Sequence, residues 1–290
     1  MMIITRFFLF CFLSFTLLSQ AWAESSSVWK VSKDGKHLFI GGTIHMLSQD
    51  DYPLPSVFDT AYQQASVVVL ETDAKAMQEP AFQQRMMMAM MYRDGRNLQQ
   101  VLKPKTFAAL SEHMQSRGLP LDQMLLLKPG MVSMTLSVIE LQRLGQTATG
   151  VDSYFSNRAS QDGKQLGKLE TVEQQLTFLA DMGKGREDDM ILYTLRDLED
   201  LPTILSDMKS AWRKGDMASL EKTSLTEMRD TFPAIYKSLL LDRNNDWMPK
   251  IEGYIRSAQV EFILVGSLHL AGDEGVLEQL KARGYQVEQL

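Results

Sequence analysis

The sequence has 290 residues, 44% of them hydrophobic, with 36 acidic against 30 basic side chains and a net charge of −6. A chain of this length can bury roughly 70–75% of its unfolded surface in an ordinary core, and its single cysteine excludes a disulfide scaffold. The acidic balance, with no cluster of lysine and arginine, excludes a typical nucleic-acid binder, which needs a basic face.

Residues 1–23 read as a secretory signal. Arg6 supplies the positive start, residues 7–18 the apolar stretch, and Ala21-Trp22-Ala23 a small-residue cleavage site. The apolar stretch is too short for a comfortable membrane span. Cys11 lies inside it, so cleavage after Ala23 would leave a cysteine-free chain with no membrane span. Its expected location is the periplasm or outside the cell, and its expected organisation is one domain over 24–290. Two short strands are expected at 28–31 and 36–40 around a turn at Lys33-Asp34-Gly35. A helix is expected at 56–64 and a buried β-branched strand at 67–70. The middle of the chain, about 76–241, reads as a mainly helical insertion. Gly118 and Gly145 mark helix ends within it, and Thr171-Val172-Glu173-Gln174 has the form of a capping box. A short strand is expected at 165–169. Beyond the insertion, a strand at 261–265, a helix at 275–283 and a strand at 286–288 complete an α/β pattern. The sheet is therefore mixed and built from both ends of the chain.

One motif occurs twice. Gly42-Thr43-Ile44-His45 and Gly266-Ser267-Leu268-His269 each follow an apolar strand, and they contain two of the four histidines. The glycines allow a tight turn or a close approach by a ligand. His45, Glu71, Glu170 and His269 all come at or just beyond strand ends. In open α/β sheets, ligands bind outside the carboxyl ends of strands, so these four groups can converge. Two imidazoles and two carboxylates suit a divalent ion such as zinc, manganese or cobalt. They equally suit metal-free acid/base work, with carboxylates orienting the histidines. Asp152 reads as the cap of a helix over 153–159. The polar run Asp242-Arg243-Asn244-Asn245-Asp246 reads as a solvated loop before a helix, although Arg243 could clamp a carboxylate or an oxyanion. The methionines at 86–91 read as helix core, or as a greasy face for a partner.

These pieces resemble the TraB/PrgY/GumN family, which includes the animal Tiki proteases. The resemblance rests on the two Gly-x-x-His motifs, Leu70-Glu71-Thr72-Asp73, Gly150-Val151-Asp152, Leu169-Glu170-Thr171, Arg243-Asn244 with Trp247, and the run from Leu270 through Gly275. Asp242 stands where the GumN-like branch often has Glu. The resemblance implies a fold related to the erythromycin-esterase and ChaN-like proteins, and a metal-dependent hydrolase or protease acting on a peptide or small-molecule substrate; capture of such a ligand without turnover, or metal-free hydrolysis, is the alternative it leaves open. It implies His45, His269 and Glu71 as metal ligands. It also implies Glu71, Glu170, Arg243 and Asn244 as catalytic or supporting residues.

Overall fold

The sheet begins at a two-residue turn whose chemistry is local. Asp34 and Gly35 both adopt positive φ (52° and 76°), the twist that suits a tight hairpin. In the computed structural model, which describes residues 25–290, this turn joins β1 (Val28–Lys33) to β2 (Lys36–Thr43). The expected signal at 1–23 lies outside the described residues. The other strands are β3 (Met46–Leu47), β4 (Val67–Leu70), β5 (Ala148–Thr149), β6 (Gln165–Lys168), β7 (Glu261–Gly266) and β8 (Gln286–Gln289).

Six strands form one mixed sheet in the order β6-β4-β7-β2-β1-β8. Strands β6, β4, β7 and β2 run parallel, and β1 is antiparallel to both of its neighbours. Strands β3 and β5 pair separately. The expectation of an α/β protein with a mixed sheet drawn from both chain ends therefore holds.

Side chains along each strand alternate between two cores. Leu38, Ile40, Val67, Val69, Ile263 and Val265 pack with Trp247, Met248, Ile251 and Ile255 of the helix Asp242–Ile255. Their neighbours Phe39, Val68, Leu70, Phe262 and Leu264 face the other way, onto Phe58, Tyr62, Phe155 and Trp212. Burial on both faces is why β4 and β7 read as unbroken apolar runs. The Trp212 indole also donates to the Gly42 carbonyl at 2.7 Å, which ties the helix Leu201–Lys214 to the end of β2.

Strand β6 falls where a short strand was expected at 165–169, and it forms one edge of the main sheet, so the mainly helical stretch at 76–241 also contributes to the sheet. Other expectations need adjustment. Asp152 is not a helix cap; Gly150 holds that position, and Asp152 lies in the first turn. The polar run at 242–246 is helix rather than loop, because Asn244 and Trp247 are buried on its inner face. The methionine run divides. Met90 is buried beside Met182 and Met190, while Met87 and Met88 are exposed.

Gly150 is where the chain allows no side chain. A Cβ there would lie 2.2 Å from the His45 carbonyl oxygen, and Val151 N–H donates to the Ile44 carbonyl beside it. Gly150→Ala should therefore displace the His45 turn and destabilise the fold by about 1–3 kcal/mol, the usual cost of overpacking. Urea unfolding of the two proteins checks this.

Candidate active site

The parallel register brings four strand ends together. Thr43 pairs with Gly266, and Leu70 lies between Leu264 and Lys168. The chain then leaves the sheet at Glu71 and Glu170, and the Glu170 N–H donates to the Glu71 carbonyl at 2.7 Å. After β7, a single 3-10 turn, Ser267–His269, carries His269 back over the strand ends. All six residues expected in the site, His45, Glu71, Glu170, Arg243, Asn244 and His269, meet here. His37 and His113 do not take part.

Arg243 is at the centre. It lies in the first turn of the helix Asp242–Ile255, directly after a π-helical turn, Lys237–Leu241. Such wide turns occur often at functional sites. Its Nε donates to Glu170 Oε1 at 2.8 Å, and its Nη2 donates to Glu71 Oε2 at 2.6 Å and to Glu170 Oε2 at 3.2 Å. Its Nη1 lies 3.1 Å from His269 Nε2. The guanidinium sits between the rings of Phe178 and Trp247, 4.7 and 4.8 Å from their centres. Trp247 Nε1 donates to Glu170 Oε1 at 2.8 Å, and the Gly266 N–H donates to Glu71 Oε1 at 2.7 Å.

Asn244 sets the tautomer of His269. Its Nδ2 donates to the carbonyls of His269 and Glu274, so its Oδ1 must accept. The partner is His269 Nδ1, at 2.6 Å. His269 therefore carries its proton on Nδ1 and presents a lone pair at Nε2, which accepts from Arg243. Burial, helped by the Arg243 and His45 charges and opposed by Glu71, lowers its pKa to about 3. His269 is neutral throughout the ordinary pH range.

Glu71 is the opposite case. Burial would raise its pKa, but Arg243, the two histidines and the Gly266 N–H outweigh burial and hold it at about 2. His45 differs from both. Its side chain is 65% exposed and lines the cavity. Its Nδ1 lies 3.1 Å from Asp152 Oδ1. Burial lowers its pKa, but Asp152 and Glu71 together overcome that and raise it to about 9.

The groups converge on Gly266. A Cβ built there would lie 3.4 Å from Glu71 Oε1, 3.6 Å from His269 Cδ2 and 3.8 Å from His45 Nε2. Above this point opens a cavity of about 630 Å³. Its floor is His45, Glu71, Arg243 and His269, and its walls include Met134, Phe178, Met182, Met190 and Met208 from the helical layer. The volume falls within the usual range for a small-ligand site.

A family model for the TraB/PrgY/gumN family matches residues 27–289, nearly the whole described chain. The chain belongs to this family. It is 26% identical over 249 residues to the uncharacterized protein YbaP of Escherichia coli (strain K12), covering 84% of this chain and 88% of that protein. YbaP of Shigella flexneri matches with the same identity and coverage. No solved structure matches the chain.

The expected metal ligands do not fit an ion as they stand. Among the described residues, no group of three or more His, Cys, Asp or Glu is arranged to hold one. The chemistry of the donors explains this. Arg243 already occupies the Glu71 carboxylate and the His269 Nε2 lone pair, and it binds both oxygens of Glu170. Glu170 and Asn244 act on the site through other residues, Glu170 by holding Arg243 and Asn244 by orienting His269. Sequence reasoning missed Asp152 as the partner of His45 and Trp247 as a donor to Glu170. The signal for Asp152 was present in Gly150-Val151-Asp152, but a helix cap explained it equally well.

Removing Arg243 strands two buried carboxylates. Arg243→Ala should cost about 3–5 kcal/mol of stability, and Arg243→Lys should recover only part, because one ammonium cannot span both carboxylates and the imidazole. Urea unfolding of the three proteins at one pH tests this. The pH dependence has a definite sign. Neutral His269 resists protonation in the folded chain but accepts it when unfolded, so its contribution is lost as pH falls from about 6.5 towards 3. Glu71 adds a loss between about 4.5 and 2. His45 acts at the other end, with stability lost as pH rises from about 6.5 through 9. His269→Gln should flatten stability between pH 6.5 and 4.5, as read from urea midpoints across that range; an unchanged slope there would contradict a neutral buried His269.

Proposed function

We propose that this chain is an exported hydrolase of amide or ester bonds, with peptides as its first substrate class. One observation carries the reading: His45 Nε2, Glu71 and His269 meet at Gly266, on the floor of an apolar cavity. Family membership supports it, as does the signal-like sequence at 1–23. A kinship of fold with the erythromycin-esterase and ChaN-like proteins belongs to the same proposal.

His45 is the proton carrier. Asp152 accepts from its Nδ1–H and Nε2 faces the cavity, where it acts as a base once His45 sheds its second proton as pH approaches about 9. Water adds to the substrate carbonyl carbon while His45 Nε2 takes its proton. As the C–N or C–O bond breaks, His45 returns that proton to the leaving atom. Glu71 and Asp152 stabilise the intervening imidazolium, as the raised pKa of His45 reflects. Arg243 keeps Glu71 ionised, and Gly266 leaves room for the reacting carbonyl. A divalent ion such as zinc, manganese or cobalt is not needed for these steps. An ion held by His45, His269 and Glu71 would require Arg243 to release two of them.

A second reading, ligand capture without turnover, has one observation in its favour. Apart from His45 Nε2, the polar groups of the floor are already bonded to one another. Turnover of a peptide and ester library, before and after chelation and with added zinc, manganese or cobalt, separates these readings. Cleavage that survives chelation supports the steps above. Cleavage that depends on added ion puts a metal in the site. Protection of a bound peptide supports capture.

Substitution of His45 by Ala should lower kcat/KM by about 10²–10⁴ while leaving the fold intact, since the side chain is largely open. In the native protein kcat/KM should rise with pH until about 9, as His45 loses its proton. Asp152→Asn should move that inflection down towards the ordinary histidine value. NMR titration of His45 in both proteins checks the shift without reference to turnover.

A further inference from the structure

The cavity has a second polar place, supplied by the helical layer and not by the sheet. The helix Glu187–Glu199 contributes Tyr193, Thr194 and Asp197 to the wall. Thr194 is satisfied, since its Oγ1 donates to the Met190 carbonyl at 2.8 Å and lies 2.7 Å from Ser133 Oγ. Asp197 is not matched by a cation. No ion pair forms with it among the described residues, and the adjacent Arg196 is bound to Glu227 at 2.6 Å instead. The charged and titratable groups around Asp197 are the Tyr193 hydroxyl, which favours its ionised form, Glu227, which repels it, and Arg196, which attracts it. Burial raises its pKa to about 6, so it is mostly ionised at neutral pH and carries an uncompensated charge beside methionine and leucine side chains. Such a group is costly unless something pairs with it.

We infer that Asp197, with Tyr193, is a subsite for a primary ammonium group on an apolar ligand, foremost the free N-terminus of a hydrophobic peptide. The ammonium supplies the cation that the cavity lacks. The apolar body lies along Met134, Met182, Met190, Met208 and Phe178. Unbranched methionine side chains repack around different shapes, so the charged end selects the ligand and its side chains are read loosely. The identity of the ligand as a substrate rests on the hydrolase reading, but its binding does not.

The test is calorimetric binding to the His45→Ala protein, so that cleavage does not interfere. The probes are Leu-Met-Phe-amide, its N-acetyl form and n-hexylamine at pH 7.5. The free peptide should bind about tenfold or more tightly than the acetylated one, the size of a charge-assisted contact. Asp197→Asn should abolish that preference and leave the acetylated peptide unchanged. The urea midpoint of Asp197→Asn should hold or rise, because an unpaired carboxylate is removed; a fall would assign Asp197 a structural role and overturn the subsite. Equal binding of the two peptides, a preference that survives Asp197→Asn, or no binding of any probe would also overturn it. If hexylamine alone binds, and loses affinity in Asp197→Asn, the ammonium subsite stands and the peptide substrate is wrong.

Discussion

The site depends on one buried cation. Arg243 joins Glu71 from the end of β4, Glu170 from the end of β6, and His269 from the turn after β7. Burial alone would push the Glu71 carboxylate towards the neutral acid, and the Arg243 charge is the largest influence holding it ionised. A planar guanidinium suits this task because its N–H groups diverge in one plane, while its charge lies within cation–π distance of the Trp247 and Phe178 rings. The helix that carries Arg243 also supplies Trp247, Met248, Ile251 and Ile255 to the core under the sheet. Packing energy and site geometry therefore share one element, and the guanidinium is held by the fold rather than by the ligand.

The arrangement splits into a closed part and an open part. Arg243, Glu71, Glu170, Asn244 and His269 satisfy one another and leave little room for change. His45 stands apart, bonded through Nδ1 to Asp152 and open at Nε2. The two histidines share a motif but are tuned in opposite directions. Burial dominates His269 and keeps it neutral, whereas Asp152 and Glu71 dominate His45 and favour its charged form. Separate protonation behaviour from one repeated tetrapeptide is a property of surroundings, not of the motif. It leaves His269 as part of the site's frame, and in the reading proposed above it makes His45 the proton carrier.

The strand ends were legible because sheet geometry is local. Apolar runs such as 67–70 and 262–265 can be read as buried parallel strands, and residues just beyond such strands gather at one edge of a sheet. Sheet geometry therefore brings His45, Glu71, Glu170 and His269 to one edge from the sequence pattern alone. It did not identify what lies between them. Arg243 sits 172 residues from Glu71, and the loop expected around it is the first turn of a helix. Nothing local in the polar run at 242–246 distinguishes a solvated loop from an inner helix face, because that depends on what packs against it. The same limit hid Asp152 and Asp197. Each is an acid in a helical stretch until a partner, or the lack of one, gives it a role.

By itself, then, the sequence determined the α/β class, the mixed sheet drawn from both ends of the chain, and the strand ends that carry the polar residues. These follow from patterns two to four residues long, which steric alternation and turn chemistry impose on any backbone. Only the tertiary structure decided that Arg243, rather than open space, lies among Glu71, Glu170 and His269. It also decided that His45 faces the cavity with its Nε2, and that Asp197 enters the cavity wall without a cation. Those are facts of proximity between distant segments. Charge, burial and hydrogen bonding act through space, so their outcome is set only when the chain has closed on itself.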